Sequence, residues 1–262
     1  MTEKKLLGEI ELNRIYQRDC IEGMRMIPNG SVDMILCDLP YGTTQNKWDA
    51  IIPLQPLWDQ YKRIIKGNGA IVLTAQTPFD KVLGCSNLEM LRYEWIWEKT
   101  TPTGHLNANK MPMKAHENVL VFYKGLPTYN PQKTYGHVRK VSTAVHRRKC
   151  AKSSNYNDYE LSSYDSTERF PRSVQVFASD KQREALHPTQ KPVALFEYLI
   201  RTYTNEGDIV LDNCMGSGTT AVAAVRTGRN FIGFETESKY VEIADIRLES
   251  ILAEMETEAS DE

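Results

Sequence analysis

Two stretches of the chain are too apolar to face water on either side and too short to be free-standing helices. They are Val32-Asp33-Met34-Ile35-Leu36-Cys37 and Asp208-Ile209-Val210-Leu211. Such runs are strands buried between layers, as in parallel sheets covered by helices on both faces. Each ends in a turn of particular composition: Asp38-Leu39-Pro40-Tyr41 after the first, Asp212-Asn213-Cys214-Met215-Gly216-Ser217-Gly218 after the second. Strand signals recur at 70–74, 93–97, 118–123 and 231–235. Helical spacing recurs at 56–65, stopping at Gly67-Asn68-Gly69, and at 78–84, 192–203, 219–227 and 240–255. In 192–203 the apolar face is Val193, Leu195, Phe196, Leu199 and Ile200. The alternation predicts an α/β fold built on a mostly parallel sheet.

Between 125 and 180 the long apolar stretches disappear, and Tyr, Ser, Asn and basic residues take over. This reads as an insertion with little core of its own. Residues 131–183 carry eleven Lys/Arg against five Asp/Glu, while the segment from Glu249 to Glu262 has six acids and no base. The net charge of −2 therefore hides a basic segment, the distribution expected of a nucleic-acid partner. The 262 residues accommodate one α/β domain with an insertion, or two small domains. No apolar run approaches the roughly 18 residues of a membrane helix, and the N-terminus does not read as a signal peptide. Cytoplasmic residence and no membrane partner are expected. The five cysteines are scattered without a C-x-x-C pair, so neither a metal site nor a disulfide framework is expected.

A strand, Gly216-Ser217-Gly218 and a helix in succession make nucleotide-binding geometry, because glycines let the backbone pass close to a ligand. Glu235 ends the next strand, 17 residues after Gly218, where an acid can accept from both ribose hydroxyls. A phosphate loop would need a lysine where Thr219-Thr220 stands, and a dinucleotide fingerprint a glycine where Ala221 stands. S-adenosylmethionine, which has a ribose and a carboxylate but no pyrophosphate, fits better.

These residues together resemble the β group of DNA amino-methyltransferases, in which the catalytic half precedes the cofactor half. Asp38-Leu39-Pro40-Tyr41 resembles the group's D-P-P-Y motif and Asp212–Gly218 its D-x-F-x-G-x-G motif. His187-Pro188-Thr189-Gln190-Lys191-Pro192 resembles H-P-T-Q-K-P, and Gly233-Phe234-Glu235 with Tyr240, Ala244, Arg247 and Leu248 resembles the G-x-E tail. Asp19-Cys20, Trp97-Glu98-Lys99 and His116-Glu117-Asn118 match further motifs. The likeness covers about 10–125 and 170–250. Two positions depart from the pattern: the first proline is Leu39 and the phenylalanine is Cys214.

The resemblance implies a permuted Rossmann-like methyltransferase fold with a seven-stranded, mostly parallel sheet. A catalytic half would occupy 1–124, a target-recognition insertion 125–180, a cofactor half 181–255 and an acidic tail 256–262. It implies a catalytic set of Asp38, Leu39, Pro40 and Tyr41. The implied cofactor set is Asp19, Cys20, Asp38, Thr189, Lys191, Asp212, Cys214, Gly216, Gly218, Thr219 and Glu235. The activity it implies is methyl transfer from S-adenosylmethionine to the N6 amine of an adenine flipped out of duplex DNA. Asp38 and the Leu39 carbonyl would each accept one amine hydrogen, and Tyr41 would supply a stacking face. Arg139, Lys140, Arg147, Arg148 and Lys149 in the insertion are the candidate DNA contacts, with Asn107 and Lys110 as further ones. A homodimer is implied by the resemblance alone; a companion restriction endonuclease is compatible with it, since solitary methyltransferases share these motifs. Cytosine-N4 methylation uses the same geometry, but that group usually begins the catalytic motif with serine. Cytosine-C5 chemistry would need a Pro-Cys and a zinc deaminase H-x-E with P-C-x-x-C, none of which occurs. A DNA-binding homologue that has lost catalysis through Leu39 is the alternative from another class.

Overall fold

The computed structural model of the chain describes residues 5–43, 46, 49–144, 163–180 and 190–260. In order, the elements are β1 (Leu6–Leu7), β2 (Ile10–Glu11), β3 (Arg14–Gln17), α1 (Cys20–Arg25), β4 (Val32–Asp38), α2 (Leu54–Ile64), β5 (Ile65–Ala75), α3 (Phe79–Ser86), β6 (Leu91–Thr103), β7 (Lys114–Phe122), β8 (Lys140–Ser142), β9 (Tyr164–Ser166), β10 (Val174–Phe177), α4 (Val193–Tyr203), β11 (Ile209–Asp212), α5 (Thr219–Arg226), β12 (Asn230–Glu235) and α6 (Ser238–Ser260). They form two compact units, Met1–Asn130 with Ser173–Glu262, and Pro131–Arg172.

The larger unit is built on one sheet of order β10-β6-β7-β5-β4-β11-β12-β3. Only β7 runs against the others. Alternation along each central strand sorts side chains into two cores. Met34, Leu36, Ala70, Val72, Val119, Val121 and Val210 pack with α4, α5 and α6. Ile35, Cys37, Ile71, Leu73, Leu120, Phe122 and Leu211 pack with α1, α2 and α3. Met34 to Cys37 are wholly buried, at about 1.5–3 kcal/mol for each large side chain. β4 leads through α2 to β5 on one side, and β11 through α5 to β12 on the other. The seam between β4 and β11, paired Val210 with Met34 and Leu211 with Ile35, is therefore where the winding reverses. Open α/β sheets bind ligands beyond the carboxyl ends of strands at such a point.

The sheet has eight strands among the described residues, not the expected seven. β10, which lies inside the stretch assigned to the insertion, pairs parallel with β6 at the edge. β10 and the other edge strand, β3, are short and mostly exposed or half-buried, so neither is marked by a long buried apolar run. The Gly67-Asn68-Gly69 stretch does not stop a helix. α2 ends at Ile64 and β5 begins at once, with the glycines inside the strand. A Cβ on Gly69 would lie 2.7 Å from the Asp33 carbonyl oxygen, so the glycine permits a close backbone approach to β4. β6 and β7 run well past the expected 93–97 and 118–123. Their exposed arms reach from Glu98 to His116 around the turn at His105–Asn107.

In the smaller unit, β8 pairs antiparallel with β9, and Thr134 and Arg169 form a bridge. No helix among the described residues is long and apolar enough to cross a membrane.

Candidate active site

A cavity of about 770 Å³ opens where β4, β11 and β12 end. Asp38, the last residue of β4, stands on its wall with its side chain 21% exposed. Asp38 Oδ1 accepts from the Tyr41 hydroxyl at 2.7 Å and, in a short bond, from the Thr74 hydroxyl of β5. Asp38 Oδ2 accepts from Lys191 Nζ at 2.7 Å. The Leu39 side chain is 3% exposed and packs in the core with α1–α3, while the residue also contributes to the cavity lining. The Tyr41 ring stacks on Phe79 with centroids 5.4 Å apart, and Lys191 Nζ lies 5.2 Å from its centroid. Its phenol is pushed well above the ordinary range by burial and by the Asp38 and Glu117 charges, so it stays a donor.

Lys191 also approaches Glu117 of β7, Nζ to Oε2 3.2 Å, in an ion pair without hydrogen-bond direction. The other Glu117 oxygen pairs with Lys99 of β6 at 2.7 Å. Burial alone would lower Lys191, but the carboxylates of Asp38 and Glu117 outweigh it and hold the ammonium above its ordinary range. Burial would likewise raise Glu117, yet Lys191 and Lys99 hold it below the carboxylate range.

The second half of the cavity is the turn after β11. Asp212 is 3% exposed; its Oδ1 accepts from Cys214 N–H at 2.9 Å and its Oδ2 from the Thr220 hydroxyl. Its carboxylate is thus engaged inside the turn it begins. Burial pushes it up to about 6 against those bonds. Gly218 has φ +82°, and a Cβ there would fall 2.9 Å from the Ala244 Cβ of α6, so the position excludes a side chain on two grounds. Glu235 clamps the turn: Oε2 accepts from Gly216 N–H at 2.8 Å, and Oε1 from Thr236 and Glu237 N–H at 2.9 and 3.0 Å. Arg247 of α6 donates to the Ser217 carbonyl and the Thr219 hydroxyl from below. Across the cavity Asp19 caps α1, accepting from Ile21 and Glu22 N–H at 2.9 and 3.1 Å.

Comparison with known proteins agrees with this geometry. The profile of the N6/N4 DNA methylase family matches residues 32–245. The chain belongs to that family. Type II methyltransferase M1.MboII of Moraxella bovis is 29% identical to it, across 92% of this chain and 98% of that one. Type II methyltransferase M.HinfI of Haemophilus influenzae is 28% identical across 92% and 69%. Among solved structures, the M1.HpyAVI–SAM complex superposes with a TM-score of 0.61 at 26% identity, over 90% of this chain and 99% of that one. The PvuII cytosine-N4-specific DNA methyltransferase has a TM-score of 0.66 at 17% identity, over 91% and 89%; that likeness is one of fold.

In this N6/N4 methylase the structure brings Asp38, Leu39, Pro40, Tyr41, Asp19, Cys20, Lys191, Asp212, Cys214, Gly216, Thr219 and Glu235 to one cavity lining. Gly218 stands at the N-cap of α5 just behind it. Thr189 lies outside the described residues, as do Arg147, Arg148 and Lys149. Arg139 and Lys140 belong to the smaller unit. Arg139 forms a bidentate pair with Asp165 at 2.7 and 2.6 Å, and Lys140 is exposed on β8. Where the family carries phenylalanine stands Cys214, whose sulfur accepts from Asn213 Nδ2 at 3.4 Å and which packs against the core that holds Cys20 and Cys37. Sequence reasoning gave no role to Thr74 or Phe79, which fix Asp38 and Tyr41. Nor did it join Lys99 to Glu117, although both belong to motifs of the family pattern.

Proposed function

We propose that this chain is a sequence-specific DNA methyltransferase that uses S-adenosylmethionine to methylate the N6 amine of an adenine flipped out of duplex DNA. The observation that carries the reading is the meeting of the Asp38-Leu39-Pro40-Tyr41 turn with the Gly216–Gly218 turn in one cavity, from adjacent strands. A volume of about 770 Å³ is within the range of small-molecule sites. The donor set also fits S-adenosylmethionine: an acid, Glu235, at the end of β12 for ribose hydroxyls, a tight glycine turn, and Asp19 across from them. When bound, that molecule supplies a methyl group on an electrophilic sulfonium.

The chain's own task is to make a poor nucleophile competent. The adenine amine lone pair is delocalised into the ring. Asp38 and the Leu39 carbonyl, each accepting one N–H, draw the amine toward tetrahedral form and fix its direction, so that little of the barrier is spent on orientation. The amine nitrogen would gain the methyl group as the carbon–sulfur bond breaks with its electron pair left on sulfur, and the surplus proton on nitrogen would pass to water. Asp38, rather than the serine usual in cytosine-N4 enzymes, supports adenine as the target. The β6–β7 arms support DNA at the mouth: Thr101, Thr103, Asn107 and Lys114 line it, and residues 100–116 hold Lys110, Lys114, His105 and His116 with no acid. Unit Pro131–Arg172, with Arg139 and Lys140, is the proposed target-recognition region.

The test is methylation-aware sequencing of DNA from cells expressing the protein, beside cells expressing Asp38→Ala. N6-methyladenine at one short motif, absent with the variant, is expected. N4-methylcytosine would reassign the base; no mark from well-expressed protein would overturn the activity.

A further inference from the structure

Lys99, Glu117, Lys191 and Asp38 come from four separate segments and form one line of alternating charge. The spacings are 2.7 Å from Lys99 to Glu117, 3.2 Å from Glu117 to Lys191 and 2.7 Å from Lys191 to Asp38. Lys99, Glu117 and Lys191 have side chains only 9, 9 and 5% exposed. Two cations and two anions leave the line neutral, which is how four charges tolerate burial. The ammonium has three neighbours: Asp38 Oδ2, to which it donates, Glu117 Oε2, with which it forms an ion pair, and the Tyr41 ring.

The lone pairs of Asp38 can be counted. Each carboxylate oxygen has two acceptor positions. On Oδ1 both are taken, by Thr74 and Tyr41. On Oδ2 one is taken, by Lys191. We infer that Lys191 is a positioning residue for the amine: pinned from behind by Glu117 and Lys99, it holds the Asp38 carboxylate so that Oδ2 alone offers a free lone pair to the exocyclic N–H of the target base. An ammonium on that oxygen by itself would weaken it as an acceptor. Glu117 draws the charge back and leaves Oδ2 able to accept. The inference rests on the reading that Asp38 receives the target amine. It differs from the cofactor-binding role the resemblance gave Lys191.

The test compares Lys191→Met, the double variant Lys191→Met/Glu117→Gln and Asp38→Asn with the full-length wild type. Single-turnover methylation of unmethylated genomic DNA and the equilibrium Kd for S-adenosylmethionine are both measured. A loosened carboxylate should slow Lys191→Met by about 10- to 100-fold while the cofactor Kd stays within about threefold of wild type. The double variant leaves Lys99 and Asp38, a balanced pair, so the buried charge is again neutral and the fold is protected. It should remain slow. Recovery of wild-type rate in the double variant would overturn the inference, because charge balance alone would then be the role of Lys191. A tenfold or greater loss of cofactor affinity in Lys191→Met would overturn it in favour of a cofactor ligand. An active Lys191→Met beside an inactive Asp38→Asn would sink this inference alone, whereas an active Asp38→Asn would sink the reading beneath it.

Discussion

Asp212 should make the protein's stability depend on pH in a direction opposite to that of most carboxylates. It is buried at the end of β11, and burial pushes it up to about 6, roughly two units above an ordinary aspartate. Between about pH 4 and 6 the folded chain therefore holds a proton at this site that the unfolded chain has released. Stability from this group is fully present below about pH 4 and is lost as pH rises through about 6. The whole excursion is on the order of 3 kcal/mol. Asp212→Asn is near-isosteric and does not titrate. Its carbonyl still accepts one of the two bonds from Cys214 N–H and Thr220. Urea unfolding of both proteins at fixed ionic strength, from pH 4 to 8, gives the difference at each pH, and the carboxylates common to both cancel. The stability of the variant relative to wild type should rise by about 3 kcal/mol across pH 4–6 and stay level above 7. A difference that is flat across that window, or slopes the other way, would refute the claim that burial dominates over the Cys214 and Thr220 bonds.

Other expectations follow from the same geometry. Gly218→Ala combines left-handed strain of about 1–2 kcal/mol with a 2.9 Å overlap on Ala244, worth about 1–3 kcal/mol more. Gly228→Ala, at φ +73° with its nearest neighbour 3.6 Å away, carries the strain alone. Calorimetry should separate the two, and equal shifts in Tm would refute the close packing of the turn on α6. In native protein at pH 7.5, an alkylating reagent should modify exposed Cys85 well before Cys20 or Cys37, which are buried and whose thiols are raised. Peptide mass spectrometry showing Cys37 labelled first would contradict this. Leu106, at the tip of the β6–β7 arms, is 87% exposed beside the cavity mouth. Leu106→Ala should slow methylation of matched duplex several-fold and regain wild-type rate when the target base is mismatched and already unpaired. An equal defect on both substrates would show that the side chain does not assist base extrusion.

The central strands were legible because they are buried on both faces. The runs at 32–37, 70–74 and 208–212 lack the polar alternation of a half-exposed strand, and all three fall in the middle of the sheet. The edges were not legible for the converse reason: β3 buries only Ile15, and β10 buries no residue. Gly67-Asn68-Gly69 misled because glycine serves both helix ends and close strand approach, and only the position of the Asp33 carbonyl decides between them. At the site, Asp38, Glu235 and the glycine turn were readable because each stands beside the turn that explains it. Lys191 is 153 residues from Asp38 and Lys99 lies on a different strand from Glu117, so local spacing holds no sign that these four charges meet.

The register of β4 against β11 accounts for how the two turns divide the cavity. Leu211 pairs with Ile35, so Asp212 stands level with Leu36, and Asp38 stands two residues further along. At about 3.3 Å per residue, the glycine turn leaves the sheet some 7 Å before the Asp38 turn does. The floor of the cavity is stepped. Asp212 edges the deeper side; Glu235, two residues past Gly233, the partner of Asp212, stands level with Asp38. A register slip of one residue would turn Asp38 toward the opposite face and remove it from Lys191. Met34, Ile35, Leu36 and Cys37 are apolar and buried on both faces, so burial alone would tolerate that slip. Asp33 at the start of β4, which accepts from Lys66 Nζ and Ile209 N–H at 2.7 and 3.0 Å, and Asp38 at its end, held by Tyr41 and Lys191, oppose it, because a slip would leave both carboxylates without these partners.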